Sequence, residues 1–109
     1  MREAVIVSYA RTGMAKASRG SLNNTHGITM AGHAIKGAID RAGIEAASVE
    51  DVFLGSAQPE GATGHNVARN AALWAGCPST TSGATINRFC SSGLQAIANA
   101  AGHILMGSH

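Results

Sequence analysis

Three short apolar runs, each followed by a glycine-containing loop and then a stretch with helical spacing, constrain the fold of this 109-residue chain more than any other feature. A run apolar on both faces suits a parallel sheet, whose strands are covered on both sides by crossover helices. Ala4-Val5-Ile6-Val7-Ser8-Tyr9 is the first such run, and Arg11-Thr12-Gly13 ends it. Val52-Phe53-Leu54-Gly55-Ser56-Ala57 is the second, and residues 82–88 form the third. Between the first two, Ala31, Ala34, Ile35, Ala38, Ile39 and Ala42 share one helical face while Lys36, Asp40 and Arg41 fall away from it, predicting an amphipathic helix over 29–42 closed by Gly43. Ser48-Val49-Glu50-Asp51 has capping-box spacing and predicts a single helical turn. A further helix is expected over 66–75, stopped by Gly76 and Pro78. The last helix is expected to run from near Cys90 to about Met106, with Leu94, Ile97, Ala101, Ile104 and Leu105 on one side and small alanines around much of the rest. Three strand-helix units in alternation imply an α/β layered fold with right-handed crossovers and a mainly parallel sheet.

Charge bears on how much of that fold can face water. Charged residues make up 13% of the chain, about half the usual share. Histidines aside, Arg88 is the only charged residue from Ala71 to His109. The expectation is that this segment is buried against further chain, and that residues 1–109 are the incomplete first part of a larger domain. The net charge of +2 comes from dispersed basic residues and aromatic residues are only 4%, so no nucleic-acid partner is expected. Lys16 and Arg19 stand in a Gly-, Ser- and Asn-rich surface loop and are assigned no role. No apolar run is long enough for a membrane span, and the N-terminus lacks the pattern of a secretory signal. Two cysteines, Cys77 and Cys90, have neither zinc-site spacing nor the density of a disulfide scaffold; no metal is expected, and a reducing intracellular setting fits both.

The chemistry concentrates at Thr85-Ile86-Asn87-Arg88-Phe89-Cys90-Ser91-Ser92-Gly93-Leu94-Gln95, where the third strand turns into the last helix. Catalytic groups in parallel α/β folds gather at the carboxyl ends of strands. A helix start offers N–H groups without helical partners and the positive end of the peptide dipoles, which favour a thiolate. Such a thiolate is a nucleophile suited to acyl transfer. A free cysteine is more often a small buried hydrophobe, and Cys77, in a turn before Pro78, reads that way. Cys90 differs by position. Phe89 beside it can exclude water, and Ser91-Ser92-Gly93 is expected to leave N–H groups available to an oxyanion. A base is harder to find among His26, His33, His65, His103 and His109. His103 is thirteen residues along the same helix, roughly 20 Å from Cys90, His33 is on a polar helix face, His26 and His65 belong to loops, and His109 is terminal. The base is expected outside these five.

Asn87-Arg88-Phe89-Cys90-Ser91-Ser92-Gly93-Leu94-Gln95-Ala96-Ile97 resembles the acyl-enzyme signature of the thiolases, of the 3-ketoacyl-CoA thiolase type. Arg11-Thr12-Gly13, Asp51-Val52-Phe53-Leu54-Gly55 and Gly64-His65-Asn66-Val67-Ala68-Arg69-Asn70-Ala71-Ala72-Leu73 are similar to family segments in the same order, so the likeness spans the chain. Gly13, where proline is frequent, and the loop around Asn23-Asn24 depart from the family pattern.

The resemblance implies an acetyl-CoA C-acyltransferase with a layered α-β-α-β-α fold, of which this chain holds the first three strand-helix units of the N-terminal half. It implies thiolytic cleavage of a 3-ketoacyl-CoA to acetyl-CoA and a shortened acyl-CoA, or the reverse condensation, as in β-oxidation and fatty acid metabolism. Cys90 would carry the acyl group as a thioester, and its backbone N–H would help form an oxyanion hole. Coenzyme A is then a substrate rather than a permanent cofactor, with its site expected downstream. The family's second cysteine in C-x-G-G-G, the histidine of G-H-P and the asparagine of N-E-A-F are not in this sequence, so residues 1–109 alone are expected to be inactive. A homodimer or homotetramer and a bacterial cytoplasmic location are expected, with mitochondrion or peroxisome as alternative compartments. Two other readings use the same residues: a ketoacyl synthase-type condensing enzyme, and a non-catalytic thiolase-like lipid carrier or assembly subunit in which Cys90 only packs.

Overall fold

The computed structural model describes residues 2–108. Strands β1 (Asp51–Gly55) and β2 (Ser82–Ile86) pair in parallel, from Asp51 opposite Ser82 to Gly55 opposite Ile86. Helix α1 (Gly27–Ala42) precedes β1, α2 (Val67–Trp74) connects β1 to β2, and α3 (Ser92–Met106) follows β2. Short 3-10 turns occupy Ala46–Ser48, Gly61–Thr63 and Phe89–Ser91. The α/β class and the alternation read from the sequence hold.

The two faces of the sheet are divided between helices. Phe53 meets the His103 ring of α3 at 4.9 Å between centroids, and Gly55, two residues on, abuts the start of the same helix. On the opposite face, Thr85 accepts a hydrogen bond from the Ala68 N–H of α2 at 3.2 Å, and Gly83 lies so close to α2 that a Cβ there would stand 2.7 Å from the Arg69 nitrogen. Alternation along each strand thus sends successive residues to opposite layers. Small residues dominate the core because the helices approach so closely: Val67, Ala68, Ala71, Ala72, Ala75, Cys77 and Ala96 are buried. Helix α1 packs on α2, with its one buried residue, Gly32, against Trp74.

Several side chains fix β2 in register. Asn66, left-handed at φ 55°, donates from Nδ2 to the Gly83 carbonyl at 2.9 Å and accepts from the Thr85 hydroxyl at 2.8 Å. Arg69 donates to the carbonyls of Thr81 and Ser79, and the buried Thr81 hydroxyl donates to the Val49 carbonyl at 2.7 Å. The start of α2 and both strand entries are thereby tied together.

Two expectations are corrected. The 4–9 run is not a paired strand, and among the described residues the sheet has two strands, not three. Its segment is anchored instead by Ser8, whose hydroxyl donates to the Ala38 carbonyl, and by Arg41, which donates to the Tyr9 carbonyl. Val5, Ile6 and Val7 are exposed. An apolar run encodes burial, but a strand also needs a neighbouring backbone edge, which the pattern does not supply. Second, Ser48 ends its 3-10 turn rather than starting one: its hydroxyl donates to the Glu45 carbonyl, while Asp51 accepts from the adjacent Val52 N–H, so no capping box forms. On α3, the residues nearest the sheet at its start are small. Ser92 and Ala96 are buried, whereas Leu94 and Ile97 are 71% and 61% exposed. The tight approach at Gly55 leaves room only for small residues beneath the start of the helix.

That approach generates a prediction. A Cβ on Gly55 would sit 2.5 Å from the Ser92 carbonyl oxygen and 2.6 Å from the Gly93 nitrogen, both backbone atoms. Gly55→Ala is expected to cost about 1–3 kcal/mol of stability through overpacking. Urea denaturation of the protein at its natural length checks this, and a midpoint equal to that of the unsubstituted protein would contradict it.

Candidate active site

Cys90 stands on the turn between β2 and α3, beyond the carboxyl end of β2, where the alternation placed it. It belongs to the 3-10 turn Phe89–Ser91, so α3 proper begins two residues later at Ser92. The thiol is free and exposed. The positive end of the α3 peptide dipoles is directed at this turn.

Local side chains build the turn. Asn87 Oδ1 accepts from the Phe89 N–H at 2.9 Å, an Asx-type bond across two residues. The Ser92 hydroxyl accepts from the Arg88 N–H at 2.9 Å and donates to the Phe89 carbonyl at 2.6 Å. The Ser91 N–H donates to the Arg88 carbonyl, and the Ser92 N–H to the Phe89 carbonyl. Phe89 is held at φ 48°, a left-handed conformation that costs a bulky side chain on the order of 1–3 kcal/mol. The residue is 72% exposed.

These bonds alter the expected oxyanion donors. Ser91 and Ser92 spend their N–H groups on the turn, and Ser92 is buried rather than open to a ligand. None of these bonds uses the Cys90 N–H.

Cys77 is the opposite case, as its turn position suggested. It is buried, and burial pushes its thiol up from the ordinary value, against a smaller downward pull from a hydrogen bond with the Thr81 side chain. A neutral, enclosed thiol is a packing element.

The histidines occupy other places. His26 caps α1, its Nδ1 accepting from the Ile28 N–H at 3.1 Å, so this loop histidine has a structural task. His33 is exposed on α1, and His103 lies against Phe53. His65 is exposed at φ 53°, its carbonyl accepting from Asn70. His109 lies outside the described residues. Among the described residues, no group of three or more His, Cys, Asp or Glu side chains could hold a metal ion, and no helix is long and apolar enough to cross a membrane.

The sequence reading missed the tasks of Ser92, Asn87 and Gly55. An asparagine two residues before a turn N–H is a recognisable Asx signal. The role of Gly55 carries no local signature, since it depends on Ser92 and Gly93 being brought against it by the fold, whereas the hydroxyl partners of Ser92 lie only three and four residues away.

Comparison with known proteins gives a consistent result. A family model described as the thiolase N-terminal domain matches residues 4–109. The chain is 44% identical over 109 residues to a protein named 3-ketoacyl-CoA thiolase from Bacillus subtilis (strain 168), covering 100% of this chain and 28% of that relative. It is 38% identical over 109 residues to one of the same name from Pseudoalteromonas translucida (strain TAC 125), covering 99% of this chain and 28% of the relative. A third of that name, from Photobacterium profundum, is 38% identical over 108 residues with coverages of 98% and 28%. The chain therefore spans 28% of the length of these curated relatives.

The contrast between the two thiols is testable. Brief treatment of the native protein with iodoacetamide is expected to alkylate Cys90 and spare Cys77, which reacts only after denaturation. Peptide mass spectrometry reads both sites, and equal labelling in the native state would contradict the burial of Cys77.

Proposed function

The chain belongs to the thiolase family, matching its N-terminal domain, and from that premise we propose that Cys90 is the acyl-carrying nucleophile of a 3-ketoacyl-CoA thiolase. The observation that supports this most is an exposed thiol on a hydrogen-bonded strand-to-helix turn, beside a helix N-terminus. A packing cysteine needs none of those features, and Cys77 has none of them.

The Cys90 thiolate attacks the 3-keto carbonyl carbon, forming a carbon–sulfur bond and an oxyanion. The Cys90 N–H, unused by the bonds that hold the turn, donates to that oxyanion and lowers the barrier electrostatically. Collapse of the intermediate breaks the bond between C2 and C3, and its electron pair leaves as the acetyl-CoA enolate, which a proton converts to acetyl-CoA. The acyl group remains on sulfur as a thioester, activated toward a second thiol. Coenzyme A then attacks it, releasing the shortened acyl-CoA and restoring Cys90.

The groups that take the thiol proton and protonate the enolate are assigned outside the described histidines, because His26 caps α1 and His103 packs on Phe53. Residues 1–109 alone are accordingly proposed to be inactive. The whole protein is proposed to act as a homodimer or homotetramer in the bacterial cytoplasm, with 3-ketoacyl-CoA, acetyl-CoA and CoA as its reactants.

Two experiments test this reading. With 3-ketoacyl-CoA and CoA, the protein at its natural length is expected to form acetyl-CoA, and Cys90→Ser to lose on the order of 10³-fold or more in kcat. Retained turnover by Cys90→Ser would remove the proposed role. Residues 1–109 by themselves are expected to show no thiolysis under the same assay, so turnover by that piece would overturn the incomplete-site proposal. Malonyl-CoA separates the condensing-enzyme alternative, since a decarboxylating synthase releases carbon dioxide from it and a thiolase does not.

A further inference from the structure

Ser92 is 4% exposed, and its hydroxyl is engaged on both sides, accepting from the Arg88 N–H and donating to the Phe89 carbonyl. The bridge spans the Arg88–Phe89 pair and restrains their backbone dihedrals together. Phe89 at φ 48° is the conformation this bridge holds, and a phenylalanine would leave it without such support. Cys90 is the next residue, so the direction of its side chain follows from that dihedral. The Ser92 backbone is itself seated against β1, where Gly55 offers no Cβ to push it away. A continuous mechanical path therefore runs from the end of β1, through Ser92, to the residue before the exposed thiol.

We propose that Ser92 is a positioning residue for acyl transfer, its hydroxyl holding the Arg88–Phe89 turn so that Cys90 Sγ is presented to the substrate carbonyl. The inference rests on the reading of Cys90 as the acyl carrier. Ser92 exchanges no proton in the reaction; the bond that forms is from Cys90 sulfur to the acyl carbon, and the bond that breaks is between C2 and C3. Asn87 gives the turn a second support through the Phe89 N–H, while the Ser92 hydroxyl reaches both Arg88 and Phe89 and, beside the Ser92 N–H on the Phe89 carbonyl, joins the turn to the buried start of α3.

The test uses the protein at its natural length and follows two readouts, the rate at which a 3-ketoacyl-CoA loads its acyl group onto Cys90, and amide hydrogen exchange. Ser92→Ala is expected to slow loading at least about 10-fold with KM little changed, as misplacement of a reacting group does. It is also expected to speed exchange at Ser91, whose N–H closes the turn, while exchange over residues 97–104 stays as it was. Ser92→Thr keeps the hydroxyl and should retain most of the rate. Glycine adopts positive φ without steric cost, so Ser92→Ala should be far less damaging when made in a Phe89→Gly background than alone. A purely structural role for the hydroxyl would give the same loss in both backgrounds, and that result overturns the proposal. So does Ser92→Ala loading at the unsubstituted rate, whatever happens to exchange. If the unsubstituted protein acquires no acyl group on Cys90, the proposed function fails first and the positioning role falls with it; if it is acylated and only the Ser92 results disagree, the positioning role alone is lost.

Discussion

The contact on which the arrangement depends is backbone against backbone, where Gly55 at the end of β1 meets the Ser92 carbonyl and the Gly93 nitrogen at the start of α3. No side chain intervenes, so the helix starts directly over the strand end. This places the β2–α3 turn at the carboxyl edge of the sheet and makes its position a property of the framework rather than of a mobile loop. Gly83 performs the equivalent service for α2 on the other face. Two glycines, one on each strand, set the thickness of the layers, and the alanine-rich core follows from that spacing.

On this base the turn stores a local cost and offsets it locally. Phe89 sits in a left-handed conformation unfavourable to its side chain, and hydrogen bonds from Asn87 and Ser92 hold it there. Strain of this kind at the residue preceding a proposed nucleophile is consistent with pre-organisation, since the thiol does not have to find its direction when substrate arrives. The N–H groups of Ser91 and Ser92 are consumed in building the turn, whereas none of these bonds uses the Cys90 N–H.

Helix α3 shows how far sequence pattern reaches. Its nearly all-round apolar composition signalled burial, yet the face against the sheet carries Ser92 and Ala96 while Leu94 and Ile97 project outward. The N-terminal apolar run presents Val5, Ile6 and Val7 outward in the same manner, alongside α3. Composition reports that a segment prefers to leave water; it does not report which neighbour takes it up. The relatives, of whose length this chain spans 28%, are substantially longer.

Periodicity and glycine punctuation made the two paired strands, the three helices and the location of Cys90 legible, because these arise from local propensity and short-range spacing. The distinction between Cys77 and Cys90 was legible for the same reason, one lying in a turn before proline and the other between strand and helix. The pairing of residues 4–9, the capping geometry at Ser48 and the face α3 presents to the sheet were not, since each depends on backbone edges and volumes supplied by residues distant in sequence. By itself the sequence determined the α/β alternation, the family and the candidate nucleophile. Only the tertiary structure decided that Ser92 is buried rather than open to a ligand, because Gly55, thirty-seven positions earlier, brings the end of β1 against the Ser92 backbone.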